Sequence, residues 1–324
     1  MTNFLKYSKI LKGDTMKHLL NNEKHYVTFN NYLKERFGHK VFRISLNAGF
    51  TCPNRDGTKS TLGCIYCSEK LSGDFAGNKL DSFHKQFNEG LKLMNQKWDE
   101  GTYIAYLQAG TNTYSDINTL RKTYTEIISL HNDIEILSIA TRPDCITKEI
   151  VDLLCEINQQ CEVWVELGFQ TMHDSTSIMI NKCYNNTDFE NAMELLNNKG
   201  IKVIVHIING LPYETKEMMV ETAKYLNKYN LFGLKIHMLH IMKNTPLENI
   251  FKAKPFHILT LDEFVDITTT QLRYINTNTV IHRLTGDAPK DLLIEPLWTL
   301  KKFVVLNEID KYMRKNNIYQ GDLC

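Results

Sequence analysis

Residues 41–67, VFRISLNAGFTCPNRDGTKSTLGCIYC, decide which fold and which chemistry we predict for this chain. The first six residues are mostly apolar, which is typical of a buried strand. The rest is a loop in which Gly49, Gly57 and Gly63 permit backbone angles that other residues avoid. Three cysteines lie in this loop with the spacing C-x11-C-x2-C: Cys52, Cys64 and Cys67. We therefore expect a buried strand that leads directly into a folded, cysteine-bearing loop.

The number of clustered cysteines points to a metal site with an open position. Thiolates two residues apart, such as Cys64 and Cys67, bind one metal centre more readily than they form a disulfide. A structural zinc site or an electron-carrying iron–sulfur cluster usually has four protein ligands. Three cysteines on a four-iron cluster would leave one iron open to another molecule. The alternative is a structural zinc site that takes a histidine, such as His84, as its fourth ligand.

Strand-like and helix-like segments alternate along the chain. The strand-like segments are short and mostly apolar on both faces, as buried parallel strands are: 41–46, 103–107, 134–140, 162–167, 201–208, 234–239 and 279–284. The helix-like segments are 28–37, 81–97, 116–131, 147–157, 188–199, 215–229 and 260–274, with a last one at 299–316. This order predicts an α/β protein with a partial or nearly closed parallel (βα) barrel and a C-terminal helical extension. A doubly wound open sheet is the alternative.

Polar segments follow the strands at the end where parallel barrels carry their active sites. The cysteine loop follows the first strand. The later segments are QAGTNT at 108–113, TRPD at 141–144, GFQ at 168–170, NGLP at 209–212, HMLH at 237–240 and TGD at 285–287. We expect these segments to form one site at one rim of the barrel.

With these motifs the chain resembles the radical S-adenosylmethionine (SAM) enzymes of the Elp3-like branch, and within it the YhcC/YtqA type. The resemblance extends from about Tyr26 to the C-terminus and is carried by CPNRDGT at 52–58, TRPDC at 141–145, VWVELGFQ at 163–170, HRLTGDAP at 282–289 and YQGD at 319–322. The usual cysteine spacing in the superfamily is C-x3-C-x2-C, and the longer first interval is a feature of the Elp3-like branch.

The resemblance implies two cofactors. A [4Fe–4S] cluster would be held by Cys52, Cys64 and Cys67, with SAM on the open iron. Reductive cleavage of SAM would give a 5′-deoxyadenosyl radical that abstracts a hydrogen atom from the substrate. Clusters of this kind have low potentials, so an external flavodoxin- or ferredoxin-like electron donor is implied.

The resemblance also implies residues that bind SAM. Tyr66 would pack beside the adenine. Gln108, Gly110 and Thr111 replace a Gly-Gly-Glu segment that binds the SAM amino group, although the carboxylate is missing here. Two polar residues of the rim segments, Arg142 and Asn209, complete this part of the cofactor site.

Two further SAM contacts have alternatives. Glu166, together with Gln170, would accept hydrogen bonds from the ribose hydroxyls. The alternative is a buried carboxylate paired with a basic neighbour such as Arg142. Lys182 aligns with a basic residue that pairs with the SAM carboxylate in the family, and its alternative is a solvated loop lysine.

Substrate chemistry is expected from the last two strands. We predict His237, His240 and Asp287 as catalytic residues, with His282 and Arg283 in the same pocket. The alternative for each histidine is an ordinary core residue.

The composition sets the broad class. The chain has 324 residues, of which 43% are hydrophobic and 23% charged, and no apolar run reaches the ~20 residues of a membrane span. The eight cysteines are mostly scattered and no secretory signal pattern is present, so we expect a cytoplasmic protein. We divide the chain into a variable extension (1–22), a barrel domain (23–287) and a helical extension (288–324).

For the substrate, the resemblance suggests tRNA with a modified wobble uridine, converted from a carboxymethylaminomethyl to an aminomethyl side chain. A net charge of +1 neither supports nor excludes RNA. Five basic residues near the C-terminus could contact phosphates: Lys301, Lys302, Lys311, Arg314 and Lys315. The alternatives are a small-metabolite substrate and a non-catalytic, zinc-stabilised binding protein, and the oligomeric state stays open.

Overall fold

The computed structural model describes residues 16–96 and 100–324. Residues 1–15 of the predicted N-terminal extension therefore lie outside the described residues. The described residues form nine strands: β1 Val41–Leu46, β2 Thr102–Leu107, β3 Ile134–Thr141, β4 Glu162–Gln170, β5 Lys202–Asn209, β6 Gly233–Met238, β7 Ile241–Met242, β8 Val280–Arg283 and β9 Leu293–Glu295. Seven of them form one parallel sheet in the order β1-β2-β3-β4-β5-β6-β8. This sequential order confirms the predicted half-barrel, because a doubly wound sheet would reverse direction at a switch point.

Helices connect the parallel strands. They are α1 Phe29–Phe37, α2 Phe83–Asn95, α3 Ile117–Ile128, α4 Lys148–Asn158, α5 Asp174–Met179, α6 Asn186–Asn198, α7 Lys216–Leu226, α8 Pro246–Ala253, α9 Leu261–Arg273 and α10 Lys302–Lys315. The side chains of Asp116, Thr147 and Thr215 accept hydrogen bonds from the first turns of α3, α4 and α7, as expected for N-caps. No helix of the described ranges is long and apolar enough to cross a bilayer.

The sequence did not predict four short elements. The strands β7 and β9 pair antiparallel as a two-stranded ribbon. The helix α8 follows β7 and is capped by Thr245, and α5 follows β4. Two- and three-residue strands and a six-residue helix are too short to show a hydrophobic period, so only tertiary pairing defines them.

Successive side chains of a strand point to opposite faces of a sheet, and this alternation produces two cores. The outward-facing residues pack under the helices around the barrel. At the amino-terminal ends of the strands, the inward-facing residues form an apolar floor that is closed by α1: Val41, Ile104, Ile136, Trp164, Ile204 and Val280. Met16, Leu19 and Leu20 pack against the same cluster, although residues up to 22 were predicted as an extension.

The next inward positions are polar. Two residues beyond the floor on six neighbouring strands lie the members of what we call the polar layer: Arg43, Tyr106, Ser138, Glu166, His206 and Lys235. Glu166 is fully buried and the other members surround it. The half-barrel is thus closed at the floor, polar at mid-height and bordered by loops at the other rim.

The C-terminal segment is packed on the barrel. The helix α10 lies against α9. Beyond it, Gln320 donates to the carbonyls of Asn276 and Thr279 at 2.8 Å and accepts from the Val27 backbone at 2.8 Å. Because Val27 belongs to the floor, the C-terminal end of α10 lies on the floor side of the molecule.

Candidate active site

The cysteine loop is held in place by side-chain amides. Asn54 donates to the carbonyl of Asn181 at 2.6 Å, and Asn181 donates to the carbonyl of Gly63 at 2.7 Å. Arg55 donates to the carbonyl of Cys67 at 2.9 Å. A Cβ at Gly63 would lie 2.0 Å from the Arg55 side chain, so glycine is needed for this close contact. The loop is therefore a built structure rather than a free connection.

Each cysteine sulfur has a polar neighbour. The distances are 4.0 Å from Cys52 to Arg142 Nη1, 3.6 Å from Cys64 to Asn54 Nδ2 and 3.8 Å from Cys67 to Ser72 Oγ. A hydrogen bond from Cys67 lowers the pKa of Cys64 to about 6. The positive charge of Arg142 also lowers this pKa, whereas burial raises it. Thiolate is the form that binds metal, and hydrogen bonds to sulfur tune a cluster's potential. The donor set therefore fits an iron–sulfur cluster.

The zinc alternative requires tighter convergence. Among residues 16–96 and 100–324, no three His, Cys, Asp or Glu side chains converge closely enough to hold a metal ion. His84, the suggested fourth ligand, is exposed on α2. A mononuclear zinc site needs its ligands around one point, whereas each cysteine of a four-iron cluster binds its own iron.

Residues 108–111 lie against both sides of the cysteine loop. Gln108 donates to the carbonyl of Ser72 at 2.9 Å, and the Thr111 backbone donates to that of Thr51 at 3.0 Å. Gly110 has φ 77°, and a Cβ there would lie 2.2 Å from the carbonyl oxygen of Phe50. Glycine at position 110 therefore allows this segment to pack directly against the backbone of the cysteine loop, while the SAM contacts of these residues stay predictions.

Tyr66 and Lys182 adjoin the cysteines. Burial, together with the neighbouring Cys64, raises the pKa of Tyr66 well above its usual value. Lys182 is 0% exposed, so the alternative of a solvated loop lysine is wrong. Its ammonium donates to the carbonyls of Phe169 and Thr171 at 3.2 and 3.3 Å, and burial lowers its pKa to about 8. Two of the three N–H donors of the ammonium are already used, which leaves one for the SAM carboxylate. This pairing stays a prediction.

Glu166 is the buried, paired carboxylate that the sequence offered as an alternative, but its partner is not Arg142. It accepts hydrogen bonds from Ser138 and His206, both at 2.8 Å, and forms an ion pair with Lys235. Arg142 instead binds Asp144 through two parallel contacts of 3.0 and 2.8 Å. The interaction of Glu166 with ribose stays a prediction, and Arg142 contributes its charge beside Cys52.

The other two predicted cofactor residues differ in orientation. Gln170 ends β4 with φ 70° and folds back over Gly168 at the rim, and its contact with ribose stays a prediction. Asn209 is a correction. Its amide donates to Gln271 on α9 at 2.8 Å and is buried there, because it follows the inward residues His206 and Ile208 on the opposite face of β5.

The three predicted histidines lie at different depths in the half-barrel. His237 lies in the interior, with its ring 5.2 Å from that of His206. His240 lies near the rim against Gly286. His282 is a correction, because it stacks on Phe29 at 4.2 Å in the floor.

Asp287 is exposed and pairs with Arg283 and Lys302 at the rim. The N-terminal end of α10, with Lys301 and Lys302, therefore lies at the rim. Arg314 donates instead to the Glu23 carbonyl, on the floor side. The basic cluster of Lys311, Arg314 and Lys315 is thus remote from the rim, and its predicted contact with phosphates stays a prediction.

Sequence reasoning missed most of the polar layer. Arg43, Tyr106, Ser138, His206 and Lys235 were passed over as parts of apolar strands. The available signal was a polar residue at the same inward position of six consecutive strands. An isolated polar residue in a strand is uninformative, whereas the repetition indicates an interior site.

Two family descriptions match the chain. The Radical SAM superfamily matches residues 55–226, and the Radical_SAM C-terminal domain matches residues 232–315. The chain belongs to the radical SAM superfamily, and its relatives support the Elp3-like branch within it.

Two relatives span nearly the whole chain, and a third spans just over half of it. The uncharacterized protein YtqA of Bacillus subtilis is 43% identical over 301 residues, covering 93% of each chain. Protein YhcC of Escherichia coli is 32% identical over 291 residues, covering 90% of this chain and 93% of YhcC. A tRNA uridine(34) acetyltransferase of Methanocaldococcus jannaschii is 26% identical over 186 residues, covering 56% of this chain and 33% of that protein.

The fold has a solved counterpart. The structure of Elp3 from Methanocaldococcus infernus, with its N-terminus deleted, aligns with a TM-score of 0.62 and 16% identity, covering 86% of this chain and 64% of that chain. At this identity the match shows a shared fold.

Proposed function

We propose that this radical SAM enzyme modifies a wobble uridine of tRNA, converting a carboxymethylaminomethyl side chain to an aminomethyl one. The carboxymethyl carbon would lose a hydrogen atom to the 5′-deoxyadenosyl radical and one further electron to the oxidised cluster, and water would hydrolyse the resulting imine to the amine and glyoxylate. The observation that carries the proposal is the three-cysteine loop at the rim of a half-barrel whose interior is polar and buried. The relative named tRNA uridine(34) acetyltransferase supports a tRNA substrate, because just over half of this chain aligns with it at 26% identity.

The residues around the loop suit the cofactors. When bound, the cluster and SAM supply reductive cleavage of SAM to methionine and a 5′-deoxyadenosyl radical. Cys52, Cys64 and Cys67 would ligate the cluster. Gly110 lets the backbone of residues 108–111 lie directly against the cysteine loop, where it would contact SAM, and Tyr66 would pack beside the adenine. An electron donor of the flavodoxin or ferredoxin type completes the proposal.

The rim suits a single unstacked base. An anticodon base that is already unstacked could enter the half-barrel, whereas a base in a duplex must first be unpaired and flipped out, at a cost of a few kcal/mol. Lys301 and Lys302 lie at the N-terminal end of α10, and they would contact the adjacent phosphates. With two such contacts, log affinity should fall with log salt at a slope of about −1.5.

The test uses reduced, cluster-loaded enzyme, SAM and tRNA from cells that lack this protein. We expect 5′-deoxyadenosine to form and one wobble nucleoside to change mass, while tRNA from wild-type cells gives neither. SAM cleavage that does not depend on such tRNA, with binding that does not depend on salt, would contradict the tRNA substrate and favour a small metabolite.

A further inference from the structure

The polar layer carries more positive than negative charge. Its basic members are Arg43 and Lys235, and its acidic member is Glu166. The third basic residue nearby, Arg283, is balanced by Asp287 at the rim. An excess positive charge inside a protein is unfavourable unless an anion accompanies it.

Glu166 cannot satisfy Arg43 as well as its other partners. Ser138 donates to Oε1, while His206 and Lys235 donate to Oε2. Arg43 Nη2 lies 3.7 Å from Glu166 Oε1, which is too far for a hydrogen bond. Both oxygens of the carboxylate therefore already have closer donors.

Arg43 is oriented but unsatisfied. Its guanidinium carbon lies 5.2 Å from the Phe29 ring centre and 4.9 Å from that of Tyr106. Within the described residues, Nε and Nη2 have no hydrogen-bond partner. These two groups form the edge of the guanidinium that binds a carboxylate through parallel hydrogen bonds, as Arg142 binds Asp144 here.

The layer is reachable from outside. The side chains of Arg43 and His206 are 23% and 18% exposed although both point into the half-barrel. Nearer the rim, His237 and His240 each have an Nε2 atom with no hydrogen-bond partner in the part of the chain that is described. Buried polar atoms without a hydrogen-bond partner thus continue from the layer toward the rim.

We propose that the polar layer binds a carboxylate group of the substrate, with Arg43 providing two parallel hydrogen bonds and Lys235 a further hydrogen-bond donor. The inference rests on the proposed function for the identity of the group: the carboxymethylaminomethyl side chain carries this carboxylate. The aminomethyl product has lost it, so the same site would favour release of the product.

The test compares two nucleosides, 5-carboxymethylaminomethyluridine and 5-aminomethyluridine, by anaerobic calorimetric titration of cluster-loaded, SAM-bound protein. We expect the first to bind roughly ten- to a hundredfold more tightly, the range of a charge-assisted hydrogen bond. Arg43→Met should remove this preference. Arg43→Lys should keep part of it, because lysine retains the charge without the parallel donors. Arg121→Met, at an exposed ion pair on α3, should keep it in full.

Equal affinity of the wild type for the two nucleosides, or no binding of the first at millimolar concentration, contradicts the proposal. So does an undiminished preference in folded Arg43→Met, or in Arg43→Lys if the methionine variant does not fold. Competition by inorganic phosphate as strong as by the carboxylate nucleoside would indicate a phosphate site instead. A clear carboxylate preference combined with unchanged tRNA in the enzymatic assay would reject the tRNA substrate and leave the carboxylate site in place.

Discussion

Nε2 of His206 lies 2.8 Å from Oε2 of Glu166, inside a sheet whose strands are otherwise largely apolar. Burial alone would raise the pKa of Glu166, but Lys235 and Arg43 hold it well below its usual value. The carboxylate is therefore charged and organises the donors around it. A group of this kind stabilises the interior only while its partners are all present.

Replacing this carboxylate should be costly. Glu166→Gln leaves Lys235 buried without its counter-charge, and we expect a loss of about 3–5 kcal/mol in the free energy of unfolding. Chemical denaturation measures the loss. The matched control is Glu156→Gln, which breaks an exposed pair with Arg121 and should cost no more than about 1 kcal/mol. Similar losses in the two variants would show that the interior pairing is not important for stability.

The cluster assignment predicts which cysteines are needed. Protein prepared without oxygen should be brown and contain about four irons per chain. Alanine at Cys52, Cys64 or Cys67 should abolish the colour and the iron, whereas Cys155→Ala and Cys324→Ala should keep both. Iron analysis measures the iron content of each variant, and absorption spectra measure its colour. A colourless wild type with stoichiometric zinc would favour the zinc-stabilised binding protein.

Gly110 should be required for the cysteine loop. Gly110→Ala introduces a Cβ 2.2 Å from the Phe50 carbonyl oxygen, so the backbone beside Cys52 must shift. We expect lower iron content and a loss of stability of more than ~2 kcal/mol. Gly200→Ala is the control, because Gly200 also has positive φ but open space around it, and only the backbone cost of about 1–2 kcal/mol should appear. Equal effects of the two variants would contradict the steric explanation.

Lys182 allows two roles to be separated. If its third donor binds the SAM carboxylate, Lys182→Met should weaken SAM binding by about 1.5–3 kcal/mol with the iron content unchanged. Lys182→Arg keeps the positive charge and has a fork of donors that suits a carboxylate. Because the site is fully buried, we now expect the larger side chain to lower the stability by about 1–3 kcal/mol. Unchanged SAM affinity in Lys182→Met would leave only the support of the β4 end as its role.

The stability should depend on pH through Lys235. Burial lowers the pKa of Lys235 to about 7, although Glu166 opposes the effect. Between about pH 7 and 10 the unfolded chain keeps this lysine protonated while the folded protein does not. The unfolded state then binds more protons, so this group makes stability rise with pH in that range. Denaturation of wild type and Lys235→Met at pH 7 and 9.5 should show a larger rise for the wild type, and parallel curves would contradict this.

The sequence by itself determined the order and type of the main elements. Each of the seven parallel strands was predicted with its ends within about three residues, because buried parallel strands are continuous apolar runs. The cysteine loop and its place after β1 were also evident, since cysteine spacing and glycine content are local properties. The short pair β7 and β9 was missed because it exists only through long-range pairing.

Only the tertiary structure decided which face each polar residue occupies. Asn209 turns toward α9, whereas His206, three residues earlier, turns into the half-barrel. A shift of the strand by one residue would exchange the faces that the two side chains occupy. Likewise, Glu166 is paired with Lys235 rather than Arg142, because β6 brings a lysine from 69 residues away into the interior. The local sequence shows the alternation of side chains along a strand. The contacts between side chains of different strands depend on strand tilt and register across the whole half-barrel.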